Sequence, residues 1–127
     1  MEAVHSGQRA RRTVLVVEDD SDQRALTAQM LARHGFTVLP ADSGPSALAL
    51  SRSHPGTIDL LLTVSLMRAM SGVEVAEAVR REHPGITVIY MSEFAPDAFG
   101  AARPPALLQK PFGESQLLEV VHRHLPD

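Results

Sequence analysis

Four side chains fit for polar chemistry stand at or just beyond the ends of apolar runs in this chain. Glu18 and Asp19 follow Val14-Leu15-Val16-Val17, Ser92 follows Ile86–Met91, and Lys110 follows Leu107-Leu108-Gln109. Carboxylates are the ligands a hard divalent cation takes. An ammonium and a hydroxyl can bond an anionic oxygen. A fourth run, Asp59–Val64, ends on valine, which offers no oxygen for metal or acyl chemistry. Lys110 is the only lysine among 12 basic residues, arginine standing everywhere else. A position that needs a compact, rotatable ammonium rather than a planar fork would resist that replacement. Acids, not glycines, follow the first run. No Gly-x-Gly-x-x-Gly or Walker sequence is present, and nucleotide phosphate would be repelled there.

The elements that would position these groups alternate. Thr13–Val17 is a β-branched strand suited to burial on both faces. Ser21 or Asp20 caps a helix with Leu26, Met30, Leu31 and Phe36 on its apolar side, ended by Gly35. Thr37–Pro40 is a second strand. Ser43 caps a helix near Pro45 with Leu48 and Leu50 inward. Ile58–Val64 is the third strand, Gly72–Glu82 a helix with Val73, Ala76 and Val79 as its stripe, and Ile86–Met91 the fourth strand. Glu114–His124 is the final amphipathic helix, with Leu117, Leu118, Val121 and Leu125 apolar. His54-Pro55-Gly56 and His83-Pro84-Gly85 each end a helix and feed a strand. Strand–helix alternation predicts an α/β fold: a doubly wound five-stranded parallel sheet, order 2-1-3-4-5, with helices on both faces. Phe94–Pro105 carries three prolines and a glycine, and predicts at most an abbreviated fourth helix. In such sheets ligands gather at the carboxyl ends of the central strands. Glu18, Asp19, Val64, Ser92 and Lys110 should therefore converge.

The 127 residues suit one domain, 13–127, behind a polar and basic tail, 1–12. No apolar stretch is long enough to span a bilayer, and no signal peptide is legible. The absence of cysteine excludes disulfides and thiolate metal sites and favours a cytoplasmic location. A net charge of −3 gives no case for nucleic acid. Of the six histidines, His34, His54 and His83 sit at helix ends, where a partly cationic ring meets the negative dipole end. His122 and His124 are two apart on a helix and cannot chelate one ion.

Glu18-Asp19-Asp20, the run ending at Val64 with Ser65–Gly72 behind it, and Leu107–Phe112, in that order, resemble the receiver domains of bacterial two-component response regulators. The resemblance extends from Thr13 to Leu125. It implies a Mg²⁺ site on Glu18, Asp19 and the backbone carbonyl of Leu66, a phosphoryl-binding hydroxyl at Ser92, a charge-pairing lysine at Lys110 and a cis Lys110–Pro111 bond. It also places Val64 where the family's phosphoryl-accepting aspartate stands. Arg68-Ala69 replaces a usual Pro-Gly, Glu93 a small residue, and Leu107 the aromatic that moves on activation. This wider drift favours natural degeneration over a single laboratory substitution.

The expected function is a pseudo-receiver, not an enzyme, that works by protein–protein contact without a phosphorylation cycle. Its partner would be a histidine kinase, a phosphotransfer protein or another receiver, met through the last-helix face, which could also form a homodimer. Lys110 should pair with Asp19 or Glu18, and Mg²⁺ should bind weakly. The alternatives are a receiver with an unconventional acceptor, a receiver excised from a hybrid sensor kinase, and a small flavodoxin-like enzyme. Thr63 and Ser65 should face away from the pocket, and Asp59 lies at the strand's far end.

Overall fold

The computed structural model describes residues 12–94 and 106–125. Five strands alternate with helices: β1 (Thr13–Val17), α1 (Ser21–Arg33), β2 (Thr37–Ala41), α2 (Gly44–Ser53), β3 (Leu60–Val64), α3 (Gly72–Glu82), β4 (Thr87–Ser92), β5 (Leu107–Gln109) and α4 (Glu114–His124). All pairings are parallel, in the order β2-β1-β3-β4-β5. The fold expected from strand–helix alternation is the one observed. The proposed fourth helix within Phe94–Pro105 and the tail at 1–11 lie outside the described residues.

Each central strand is buried on both faces because helices cover both. Val14, Val16, Leu60, Leu62 and Val64 pack with Met30, Leu31, Leu117 and Val121, which is the layer of α1 and α4. Leu15, Val17 and Leu61 pack with Ala47, Val75, Ala76 and Val79, the layer of α2 and α3. Two assigned stripes need correction. Val73 is 53% exposed and Val75 takes its place, while Leu26 is 45% exposed beside the buried Thr27. In each case the exposed apolar residue lies one position from the buried stripe, which passes through Gly72 and Thr27. The buried hydroxyl of Thr27 has a partner, accepting from Gln23 Nε2 at 3.1 Å.

The helix starts follow their caps. Asp20 accepts from Asp22 N, Ser43 from Ser46 N, and Ser71 and Glu74 form a reciprocal capping box. Gly35, at φ 91°, closes α1 in the left-handed region. His54 and His83 are the C-cap residues of α2 and α3. The Lys110–Pro111 bond is cis, as expected.

Gly72 fixes the tip of β3. A Cβ there would stand 2.3 Å from the Val64 carbonyl oxygen, a backbone atom that cannot step aside. At Gly44 the nearest atoms are Met70 Sδ at 2.6 Å, which can turn away, and Met70 Cβ at 2.7 Å, which moves only with its backbone. We therefore expect Gly72→Ala to cost about 2–3 kcal/mol, within the usual range for overpacking, and Gly44→Ala about 1–2 kcal/mol, since only the Met70 segment has to shift. Urea denaturation of the two variants checks the contrast.

Glu114 joins the start of α4 to the end of α1, accepting from Arg33 Nη2 and meeting His34 Nε2 at 2.6 Å. The hydrogen bonds from Arg33 and then His34 hold its carboxyl below the ordinary 4.5. A depressed folded pKa contributes stability above the ordinary value and loses it as pH falls through the folded value. Glu114→Gln should therefore be less stable than wild type near neutrality, with the gap closing on acidification below 4.5. Denaturation midpoints of both proteins across that range test it.

Candidate functional site

The loop after β1 turns Glu18 inward and leaves Asp19 outside. Glu18 N donates to Ala41 O at 3.0 Å, extending the β1–β2 ladder by one residue. Its side chain is thereby directed over the ends of the strands and is 1% exposed. Oε1 accepts from Lys110 Nζ at 2.7 Å, and Oε2 from Asp20 N at 3.2 Å. The Glu18 carbonyl accepts from Arg24 Nη1 at 2.8 Å. Burial raises the Glu18 carboxyl above its ordinary value, and the bond from Lys110 pulls it back only in part. Asp19 is exposed, and Asp20 is committed to capping α1.

Val64 closes β3 opposite Met91 and is 4% exposed. It packs in the α1–α4 layer of the core. The chain then leaves the sheet through Ser65 N to Met91 O and Gly72 N to Ser65 O, both 3.0 Å. Ser92, 4% exposed, accepts from Phe94 N at Oγ, 3.0 Å away. Lys110 N donates to Ser92 O at 2.7 Å, extending the β4–β5 pairing, and its side chain then reaches across to Glu18. Asp19, Val64, Leu66, Ser92 and Lys110, with Ser65, Met91, Glu93 and Phe94, line one hollow of ≈ 220 Å³. The expected convergence is therefore met, with Glu18 beneath the hollow as the partner of Lys110. Of the two carboxylates offered to the lysine, Glu18 is the one it takes.

Three side chains on or beside β3 carry an oxygen that could substitute for the missing acceptor. Asp59 is at the other end of the sheet, where Oδ2 accepts from Thr13 N at 2.9 Å. Thr63 is fully buried, and its hydroxyl donates to the Val64 carbonyl at 3.0 Å. Ser65 is the nearest of the three to the hollow. The residue forms part of the wall of the hollow. Strict alternation of side chains belongs to the strand, and β3 stops at Val64. Arg24 was missed altogether. It bonds a backbone carbonyl, and such contacts leave no pattern in the sequence.

The donors left for a divalent cation are few, consistent with weak Mg²⁺ binding at most. Both oxygens of Glu18 are engaged, Val64 supplies none, and Asp19 with the Leu66 carbonyl remain. Among the described residues no group of three acidic, histidine or cysteine side chains is placed to hold a metal. Leu66 itself is 69% exposed, which leaves the backbone as its only contribution to the hollow's chemistry.

A parallel 2-1-3-4-5 sheet with acids, a hydroxyl and a lysine gathered at its carboxyl end defines a receiver. The chain belongs to the response regulator receiver domain family, whose model matches residues 14–122. It is 34% identical to the sensor kinase CckA of Brucella abortus over 117 residues, covering 89% of this chain and 12% of that protein. It is 30% identical over 118 residues to the response regulator receiver protein CpdR of the same organism, covering 90% of this chain and 97% of the relative. The structure of the chemotaxis protein CheY4 of Vibrio cholerae superposes with a TM-score of 0.78 at 26% identity, covering 91% of this chain and 99% of that one. Receiver domains serve two-component signalling, bind Mg²⁺ at the phosphorylation site, and interact with histidine kinases, phosphotransfer proteins or other receivers. No helix among the described residues is long and apolar enough to cross a membrane.

Proposed function

We propose that this receiver takes no phosphoryl group at the family's acceptor position and acts by holding a partner protein. The observation that carries the reading is Val64: a buried aliphatic side chain at the tip of β3, lining the same hollow as Asp19, Ser92 and Lys110. Phosphoryl transfer to a protein needs an activated nucleophile, and valine has no lone pair to offer. Glu18 and Asp19, metal ligands by resemblance, are left without the third carboxylate, and Mg²⁺ has no acceptor to serve. The partner is a histidine kinase, a phosphotransfer protein or another receiver. Similarity to CckA and to CpdR supports a place among such proteins. The docking face assigned by the family is the outward side of α4 with β5.

The second reading is acceptance at an unusual residue, and Ser65 is its candidate because it borders the hollow. A serine hydroxyl is a weak nucleophile without an adjacent base, and no hydrogen bond from Ser65 Oγ to a base is found among the described residues. Incubation with acetyl phosphate and Mg²⁺, followed by intact mass, separates the two. Wild type should remain unmodified. A phosphoryl adduct on wild type that Ser65→Ala abolishes would replace the first reading with the second.

A further inference from the structure

We infer that Lys110 is the resident cation of this pocket: its ammonium takes the place a divalent metal would have on Glu18, and it holds the hollow in one metal-independent state. The inference deepens the reading above, since it rests on Val64 leaving Lys110 with no acceptor carboxylate to pair with.

Three features support it. Glu18 is the most buried acid of the site, and Lys110 Nζ sits on its Oε1 at 2.7 Å. The other oxygen is bonded by Asp20 N, so an incoming cation must share an oxygen that already accepts from a donor. The lysine cannot drift elsewhere at low cost. Its backbone is fixed to Ser92 by a 2.7 Å bond, and the side chain is only 17% exposed. A cation entering the hollow would have to expel an ammonium from a buried carboxylate to a wall where Val64 and Met91 stand beside the more exposed Asp19 and Glu93. A carboxylate at position 64 would change this. Lys110 could turn to it, Glu18 would be released, and two metal ligands would appear from one substitution.

The single lysine makes the test direct. Protein labelled with ¹³C and ¹⁵N in lysine alone gives one side-chain spin system. Its ε-methylene signal is followed during Mg²⁺ addition in wild type and in Val64→Asp. The wild-type signal should show two distinct ε-protons, as expected of a fixed side chain, and should not move saturably with Mg²⁺. In Val64→Asp the same addition should shift it along a saturable curve. Lys110→Gln, which keeps one donor toward Glu18 but no charge, has no lysine signal and is compared with wild type by calorimetry; it should bind Mg²⁺ at least about tenfold more tightly than any binding the wild type shows, a change of ~1.4 kcal/mol. A saturable Mg²⁺ shift in wild type, averaged ε-protons, or no gain in Lys110→Gln would overturn the inference. These outcomes are independent of the phosphorylation result. Saturable Mg²⁺ binding with no adduct sinks the lysine's role and leaves the interaction module standing. An adduct on wild type with a motionless lysine does the reverse.

Discussion

Val64→Asp should become a Mg²⁺-dependent phosphoryl acceptor, with acetyl phosphate labelling most of the protein where wild type shows no adduct by intact mass. The expected gain in labelling rate is on the order of 10³-fold or more, the scale of restoring a missing nucleophile. The argument is geometric. Position 64 already lies in one hollow with Asp19, Ser92 and Lys110. The backbone there is pinned by Ser65 N to Met91 O and by Gly72 beneath the Val64 carbonyl, so an aspartate would stand on a tip that does not have to be rebuilt. Its charge would draw Lys110 and free Glu18. The cost is the burial of a new carboxylate, so the variant should be less stable without Mg²⁺ and recover when the ion binds. Failure to label in a folded, Mg²⁺-binding variant would place the loss of function in Arg68-Ala69 or Glu93 as well.

Lys110→Met should carry the largest stability penalty of any single substitution in the site, about 3 kcal/mol, because it leaves Glu18 buried and charged without its partner. For a domain of this size that corresponds to a fall of roughly 10–15 °C in the melting temperature. Glu18→Met in the same protein should restore most of the loss, since an apolar pair replacing a buried ion pair is near neutral. The double-mutant cycle would then return a large interaction energy, and simple additivity of the two single changes would contradict the pairing. Thermal unfolding of the four proteins supplies the cycle.

The fold was legible because local signals agreed with one another. The Glu114–His124 helix matched to the residue, since Gly113 precedes it and its apolar positions keep helical spacing to Leu125. Thr13–Val17 matched because five consecutive apolar or β-branched residues suit a strand buried on both faces. The misassigned positions have physical causes. Val73 and Val75 are two apart near a helix start, and spacing alone does not say which one faces the sheet. The pocket was legible in part. Topology brought Glu18, Val64, Ser92 and Lys110 together from distant places in the chain, and charge left two acids for the lysine. Burial chose between them, and burial depends on the direction in which a loop turns.

β5 has only three residues and lies at the edge of the sheet, where ordinary strands fray. Here its last bond to β4 is made by the same residue whose side chain grips β1's end, from the other side of β3 and β4. Hydrogen exchange at the Lys110 amide therefore reports an opening event that must also break a buried charge contact. That amide should exchange as slowly as amides in the central strands, although it sits on the outermost rung.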